Sequence, residues 1–121
     1  MSRGYLRVVN ATRNRHLGDR VGLADRRWSR LRGLLGRPEL EEGEGLLIHP
    51  CRAVHMYGMS FPLDVLFLDG SGRVDALYEG LEPWKRSAVH REARYALELP
   101  AGTIAATETR KGDRIEWKNA D

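Results

Sequence analysis

Short apolar runs separated by turn residues constrain the fold of this chain more than any other feature of its sequence. The strongest run, residues 63–68, is apolar except for Asp64, a pattern typical of a strand buried on both faces. Residues 69–72 (Asp-Gly-Ser-Gly) form a turn sequence, and residues 73–78 alternate in polarity. Two strands joined by such a turn predict an antiparallel hairpin.

The rest of the chain repeats this pattern and contains a single helical segment. Further strands are predicted at residues 5–10, 16–23, 46–48, 53–57, 93–99 and 115–117. The helical segment begins after Asp25, a residue type that caps helices, and its apolar positions are Trp28, Leu31, Leu34 and Leu35. We therefore expect an α+β fold that is mostly antiparallel β, with a small barrel-like or sandwich-like sheet and one main helix near residues 25–35.

Length and composition indicate one domain over residues 1–121. The mass of 13.7 kDa and the 41% hydrophobic content are sufficient for a single core. No apolar run approaches the roughly 18 residues of a membrane span, and the arginines near the start of the chain leave no signal-peptide core. Cys51 is the lone cysteine, which excludes an internal disulfide and a multi-cysteine zinc module. These features predict a cytoplasmic protein without a membrane partner.

The net charge of +3 conceals an uneven distribution of charge along the chain. Residues 1–38 contain ten arginines and two acids, whereas residues 39–121 contain ten basic and fifteen acidic residues. The basic segment could attract a polyanion or an acidic partner. Alternatively, it folds against the acidic remainder of the same domain.

Several blocks of sequence, taken in order, resemble a known family. They are residues 33–37 (Gly-Leu-Leu-Gly-Arg), 45–48 (Gly-Leu-Leu-Ile), 51–55 (Cys-Arg-Ala-Val-His), 59–69, 97–102 and 112–115. In combination they are similar to domain-of-unknown-function family 192 over about residues 5–118. The resemblance implies a compact, mostly β fold of bacterial or archaeal type with one helix and no established activity. The Cys/His pair resembles the branch of the family that is not exported, which also implies a cytoplasmic location.

Any chemistry is expected in residues 49–64, where a Cys-x3-His-x3-Met-x4-Asp block follows His49. If residues 49–55 are extended, alternate side chains share a face, which would bring two imidazoles and a thiol together. Three chemistries are then open. They are a zinc or copper site using His49, Cys51, His55 and either Met59 or Asp64; a Cys51 thiolate activated by a histidine that Asp64 orients; and a pocket that binds an anion through Arg52 and a histidine.

A structural role is the competing interpretation for each of these residues. An unmodified cysteine usually packs as a small hydrophobe, and Met59 has apolar neighbours, so both fit a core. Asp64 opens the most apolar strand, so its carboxylate needs backbone N–H groups or an arginine as partners. Trp84, beside Lys85 and Arg86, could stack on a base or a peptide, but an isolated loop tryptophan more often packs on its own domain.

The sequence therefore predicts a small binding or accessory module with a pocket around Cys51, His55, Met59 and Asp64. The alternative is a metal- or thiol-dependent enzyme that uses Cys51, His55 and Asp64, with His49 as a further metal ligand. The third hypothesis is a weak, nonspecific nucleic-acid binder that uses the arginine-rich first third. We expect an unknown small ligand or protein partner, no specific nucleic acid, and a monomer or weak dimer; the sequence identifies no cofactor and assigns no residue to catalysis.

Overall fold

One mixed sheet organises the chain in a computed structural model that describes residues 4–24 and 37–120. The strands and the helix in these residues are β1 Leu6–Asn10, β2 Arg15–Ala24, β3 Glu44–Ile48, β4 Leu63–Leu68, β5 Val74–Leu81, β6 Tyr95–Pro100, α1 Thr103–Thr107 and β7 Ile115–Asn119. The seven strands lie in the order β5-β4-β6-β3-β2-β1-β7. The pairing of β2 with β3 is parallel, and the other pairs are antiparallel. The β-rich fold class predicted from the sequence is confirmed.

The sheet curls until its two edge strands meet at one corner. An isolated bridge pairs Arg73 with Arg114, just before β5 and β7 begin. Beside it, the Val74 N–H donates to the Asp113 carbonyl at 2.9 Å, and the Ile115 N–H donates to the Gly72 carbonyl at 2.8 Å. The result is a half-barrel closed at that corner, the barrel-like alternative among those expected.

Strand β4 is buried on both faces, as its continuous apolar run predicts. All six of its residues are buried. Leu66 and Leu68 belong to an inner cluster that also contains Val74 and Ile115 from the two edge strands. Leu63, Val65 and Phe67 point to the opposite face and join an outer cluster that the loops after β3 and β5 complete. The central strand therefore links the interior of the half-barrel to a second, loop-covered core.

A buried polar cluster secures the corner where the sheet closes. The Asn10 side-chain amide donates to the Thr109 hydroxyl at 3.1 Å and to the Asp113 carboxylate at 2.9 Å. The same carboxylate accepts hydrogen bonds from Arg13 Nε at 2.6 Å and from the Arg110 N–H at 2.9 Å. Burial raises the pKa of Asp113, but these hydrogen bonds outweigh burial and lower it below its ordinary value of 3.8. The cluster joins β1 to the turn that precedes β7.

The helix expected from the sequence and the helix α1 are different segments of the chain. The helix expected near residues 25–35, with Trp28, Leu31, Leu34 and Leu35, lies outside the described residues. The short helix α1 was not expected from the sequence, because its five residues include two threonines and carry no helical period of apolar residues. Within residues 4–24 and 37–120, no helix has the length and apolar character needed to cross a membrane.

Candidate functional site

The segment after β3 forms a loop over the outer face of the sheet instead of the expected strand at residues 53–57. Its regular pairing is limited to one isolated bridge between His55 and Arg86. Val54, Met56 and Met59 are buried in the outer cluster, against the outward-facing residues of β4. The expectation that residues 49, 51, 53 and 55 share one face is wrong, because the chain turns after β3 to cover this apolar surface.

Cys51 and Met59 pack in the outer cluster. Their exposed fractions are 6% and 3%, and the Cys51 thiol donates to the Ala53 carbonyl at 3.1 Å. Both side chains therefore lie beneath the loop that contains His55. His49, in contrast, is exposed and stacks on Tyr95, with ring centroids 4.5 Å apart. Across the described residues, no group of three or more His, Cys, Asp or Glu side chains is arranged to hold a metal ion.

Asp64 is fully buried, and its carboxylate binds backbone N–H groups. Oδ1 accepts from the Gly80 N–H at 2.8 Å. Oδ2 accepts from the N–H groups of Gly102 and Ile104 at 3.1 and 2.8 Å. Of the two kinds of partner expected for this residue, backbone N–H groups and an arginine, the structure shows the first. Asp64 thereby connects β4 to β5 and to the start of α1.

Two loops, residues 51–59 and 82–90, join to form what we call the two-loop platform. The Met56 N–H donates to the Lys85 carbonyl at 2.8 Å, and the Trp84 N–H donates to the Met56 carbonyl at 2.9 Å. Further along, the Ser87 N–H donates to the Val54 carbonyl at 2.9 Å. The Ser87 hydroxyl in turn accepts from the Val54 N–H at 3.0 Å. Paired backbone groups hold the two loops in a defined relative position, although neither loop is a regular strand.

The platform contains a groove with a volume of about 490 Å³. The residues that line it are Ala53, Val54, His55, Tyr57, Arg86, Ser87, Ala88 and Val89. Of the four residues predicted to form a pocket, His55 alone lines this groove, half-buried. Its Nδ1 atom accepts a hydrogen bond from the Tyr57 N–H at 3.3 Å.

A row of three aromatic rings runs from the groove toward solvent. The His55 and Tyr57 rings stack with centroids 4.6 Å apart and planes inclined by 26°. Tyr57 and Trp84 continue the row at 6.1 Å and 24°. Tyr57 is 43% exposed, Trp84 67% and the neighbouring Val89 69%. Clustered exposed apolar side chains are typical of interaction sites.

Trp84 is the functional candidate that sequence reasoning undervalued. Packing against its own domain was the favoured interpretation, yet the ring contacts Tyr57 along one side and is mostly open to solvent. Its φ of 69° is left-handed, a conformation rare for a bulky residue. The available signal was the run from Pro83 to Arg86, which places an aromatic residue among turn-forming and basic residues.

Positive charge surrounds the groove. Arg86 lines it, and Arg52 and Lys85 are exposed on the same two loops. Within residues 4–24 and 37–120, none of these three side chains takes part in an ion pair. The described residues that line the groove include no carboxylate. The site is therefore complementary to an anion.

Tyr78 and His90 support the second loop from below. The Tyr78 hydroxyl lies 2.7 Å from His90 Nε2 and accepts a hydrogen bond from the Ala88 N–H at 3.0 Å. The His90 ring also packs on Phe67 of β4, with centroids 4.7 Å apart. His90 is therefore half-buried and links the platform to the outer cluster.

Comparison with known proteins gives relatives without an assigned activity. The family model DUF192, described as "Uncharacterized ACR", matches residues 8–117. A UPF0127 protein from Thermococcus sibiricus is 31% identical over 116 residues, covering 92% of this chain and 74% of its own.

Two crystal structures have a similar fold. One is a protein of unknown function from Novosphingobium aromaticivorans, with a TM-score of 0.75, 27% identity, and coverage of 93% of this chain and 83% of that one. The other, from Sinorhizobium meliloti, is named as a candidate transcription regulator. It has a TM-score of 0.74, 31% identity, and coverage of 93% and 91%.

Proposed function

Because the chain belongs to the uncharacterised DUF192 family, whose relatives supply no activity, we propose a function from the platform itself. The protein is a binding or accessory module whose ligand occupies the groove between residues 51–59 and 82–90. It acts in the cytoplasm as a monomer or weak dimer. His55 is the one residue of the predicted pocket that would contact the ligand directly.

The conformation and exposure of Trp84 carry this proposal. A left-handed φ at a non-glycine residue costs about 1–3 kcal/mol and persists where the surrounding structure enforces it. Here the enforcing contacts are the hydrogen bonds of the Trp84 and Lys85 N–H groups to the carbonyls of Met56 and Glu82, at 2.9 and 3.1 Å. This strain leaves a large apolar ring in water, at the rim of a groove. Strained residues of this kind concentrate at ligand sites.

The remaining predicted pocket residues would act on the ligand through the scaffold. Cys51 and Met59 pack in the core beneath the first loop, so their volume would determine the position of this loop and the shape of the groove above it. Asp64 fastens the strand on which that core rests. The burial of Cys51 favours the binding module over the thiol-dependent enzyme, because a nucleophile must be reached by its substrate.

Amide chemical-shift mapping with a library of small aromatic and anionic compounds tests the proposal. We expect the compounds that bind to shift the amide signals of residues 53–57 and 86–89. Tyr57→Ala should abolish those shifts because it removes the middle ring of the aromatic row. Tyr5→Ala is the matched control, since Tyr5 is 52% exposed but lies outside the platform. Binding that maps elsewhere, or an unaffected Tyr57→Ala variant, would overturn the proposal.

A further inference from the structure

We propose that the ligand of the platform is an unpaired, single-stranded nucleic acid, whose bases stack on the aromatic row and whose phosphates bind Arg86 and its basic neighbours. This inference rests on the proposed function, because it names the ligand class of the same groove. It differs from the hypothesis based on the arginine-rich first third, since it assigns binding to residues 51–59 and 82–90.

The aromatic row is suited to flat partners. Its rings are inclined by less than 30° to one another, so one further planar group laid on the open face of Trp84 continues the stack. Every nucleobase has such a face, and base–aromatic stacking is tolerant of sequence for that reason. The Trp84 ring, 67% exposed, has most of its surface available for this contact.

The charge of the platform favours flat ligands that are anionic over flat ligands that are neutral or cationic. Residues 51–59 and 82–90 contain Arg52, Lys85 and Arg86 against the single acid Glu82, although residues 39–121 as a whole are acidic. Arginine binds phosphate oxygens in a bidentate manner. A cationic groove with stacking rings is the common design of single-strand binding sites.

The groove lining argues against two other ligands that stack on aromatic rings. Sugars are usually held through their hydroxyls by carboxylate and amide side chains, and no Asp, Glu, Asn or Gln is found among the lining residues that the structure describes. Proline-rich peptides dock on aromatic grooves but carry no negative charge that would use Arg86.

A strand fits the open shape of the site better than a single nucleotide. Small-molecule pockets bury most of their ligand. Here Tyr57, Trp84 and Val89 leave large parts of their surfaces in solvent, so one nucleotide would remain substantially exposed. A strand can instead lay one base on the open face of Trp84, stack its next base on that one, and bring its phosphates to Arg86. A duplex hides the faces of its bases and cannot use the rings at all.

Fluorescence anisotropy of a labelled ten-nucleotide oligo-dT strand provides the test, at about 50 mM and about 150 mM salt. We expect the wild type to bind the strand, and Trp84→Ala and Tyr57→Ala each to weaken binding by roughly tenfold or more. Arg86→Gln should weaken binding and reduce the salt dependence by about one phosphate contact. Tyr5→Ala and Arg110→Gln, exposed residues outside the platform, are the matched controls and should bind like the wild type. Circular dichroism of each variant verifies its fold.

Competition experiments distinguish the possible sources of the base and phosphate. Unlabelled oligo-dT should displace the probe, whereas a duplex of equal length and thymidine monophosphate at the same base concentration should not. Equal competition by the mononucleotide would overturn the assignment to a strand. Absence of strand binding at the lower salt, or unchanged binding by Trp84→Ala, would overturn the inference. If small compounds still shift the groove amides in that case, the proposed function survives the failure of this inference.

Discussion

At the scale of single residues, Asp64 holds together three elements that are distant in sequence. The backbone of Asp64 lies in β4, and its carboxylate accepts hydrogen bonds from N–H groups of β5 and of the start of α1. These hydrogen bonds offset the free-energy cost of removing the carboxylate from water. Asp64 therefore fixes the position of β5 and of the start of α1 relative to the first residues of β4.

Replacing Asp64 should destabilise the protein more than replacing an exposed acid. Asp64→Ala leaves the N–H groups of Gly80, Gly102 and Ile104 without their acceptor, at a cost of about 1–3 kcal/mol for each buried group. We expect a melting temperature lower by several degrees, measured by circular dichroism. Glu41→Ala, at an exposed site, should melt like the wild type. Equal melting of the two variants would contradict this role.

Cys51 should react slowly with alkylating reagents in the folded protein. The thiol is 6% exposed, and it donates to the Ala53 carbonyl, a contact that does not stabilise a thiolate. We expect iodoacetamide to modify it much faster in urea than in buffer. The pH dependence of the rate in buffer provides a second measurement. A midpoint near or below about pH 6 would mark an activated nucleophile and favour the enzyme hypothesis.

At the scale of elements, the closure of the half-barrel depends on the turn before β5. Gly72 has a φ of +87°, and a Cβ atom there would lie 2.7 Å from the Ile115 carbonyl oxygen. Gly112 has a similar φ of +92° with nothing within 4 Å of a Cβ atom. The two glycines thus have the same backbone conformation, but the start of β7 lies close to Gly72 and no atom of the residues that the structure describes lies close to Gly112.

Gly72→Ala should therefore cost more stability than Gly112→Ala. Both variants carry the left-handed penalty of about 1–2 kcal/mol. Gly72→Ala additionally pushes the start of β7 away from the turn, which adds about 1–3 kcal/mol. Urea unfolding of the two variants measures the difference directly. A Gly72→Ala variant as stable as Gly112→Ala would show that the corner is not closely packed.

The polar cluster at the same corner should make stability depend on pH. The pKa of Asp113 is lower in the folded state than in the unfolded chain, so its carboxylate stabilises the fold above about pH 4. This contribution is lost as the pH falls through the folded pKa. We expect Asp113→Asn to be about 1–3 kcal/mol less stable than the wild type at pH 7, with the gap closing as the pH falls below about 4 and through the lowered folded pKa of Asp113. Urea unfolding across this range tests it, and a gap independent of pH would refute it.

At the scale of the whole molecule, the uneven charge of the sequence is partly neutralised by the fold. Ion pairs join the basic first 38 residues to the acidic remainder, namely Arg13–Asp113, Arg15–Glu108 and Arg37–Glu44. They bring oppositely charged parts of the sequence into contact. These three arginines are therefore less available to a polyanion than the composition of the segment indicates.

Binding to duplex DNA or RNA should consequently be weak and independent of sequence. Electrostatic attraction by exposed arginines falls steeply with salt, and the acidic remainder of the chain opposes a long polyanion. A mobility-shift assay should show binding at low salt that disappears near about 150 mM. Sub-micromolar, sequence-dependent duplex binding at that salt would contradict both this prediction and the assignment of the platform to unpaired strands.

The β-rich architecture and its central strand could be predicted because local patterns encode them. Residues 63–68 are β4 with the same bounds, since a strand buried on both faces requires an uninterrupted apolar run. The hairpin of β4 and β5 follows from the turn residues between them. The strands predicted at residues 5–10 and 16–23 correspond to β1 and β2, which pair as an antiparallel hairpin. The family resemblance, which uses the same blocks, is confirmed.

The platform could not be predicted, because distant residues determine it. Its two loops have no hydrophobic period, and their hydrogen bonds pair residues about thirty positions apart, such as Met56 with Lys85. Whether Trp84 is covered or open to solvent depends on which side chains reach it, and no local pattern contains that information. The same holds for α1, whose first turn donates N–H groups to Asp64, a residue of another element. Local sequence determined where the strands are, and long-range contacts decided which side chains meet at their surface.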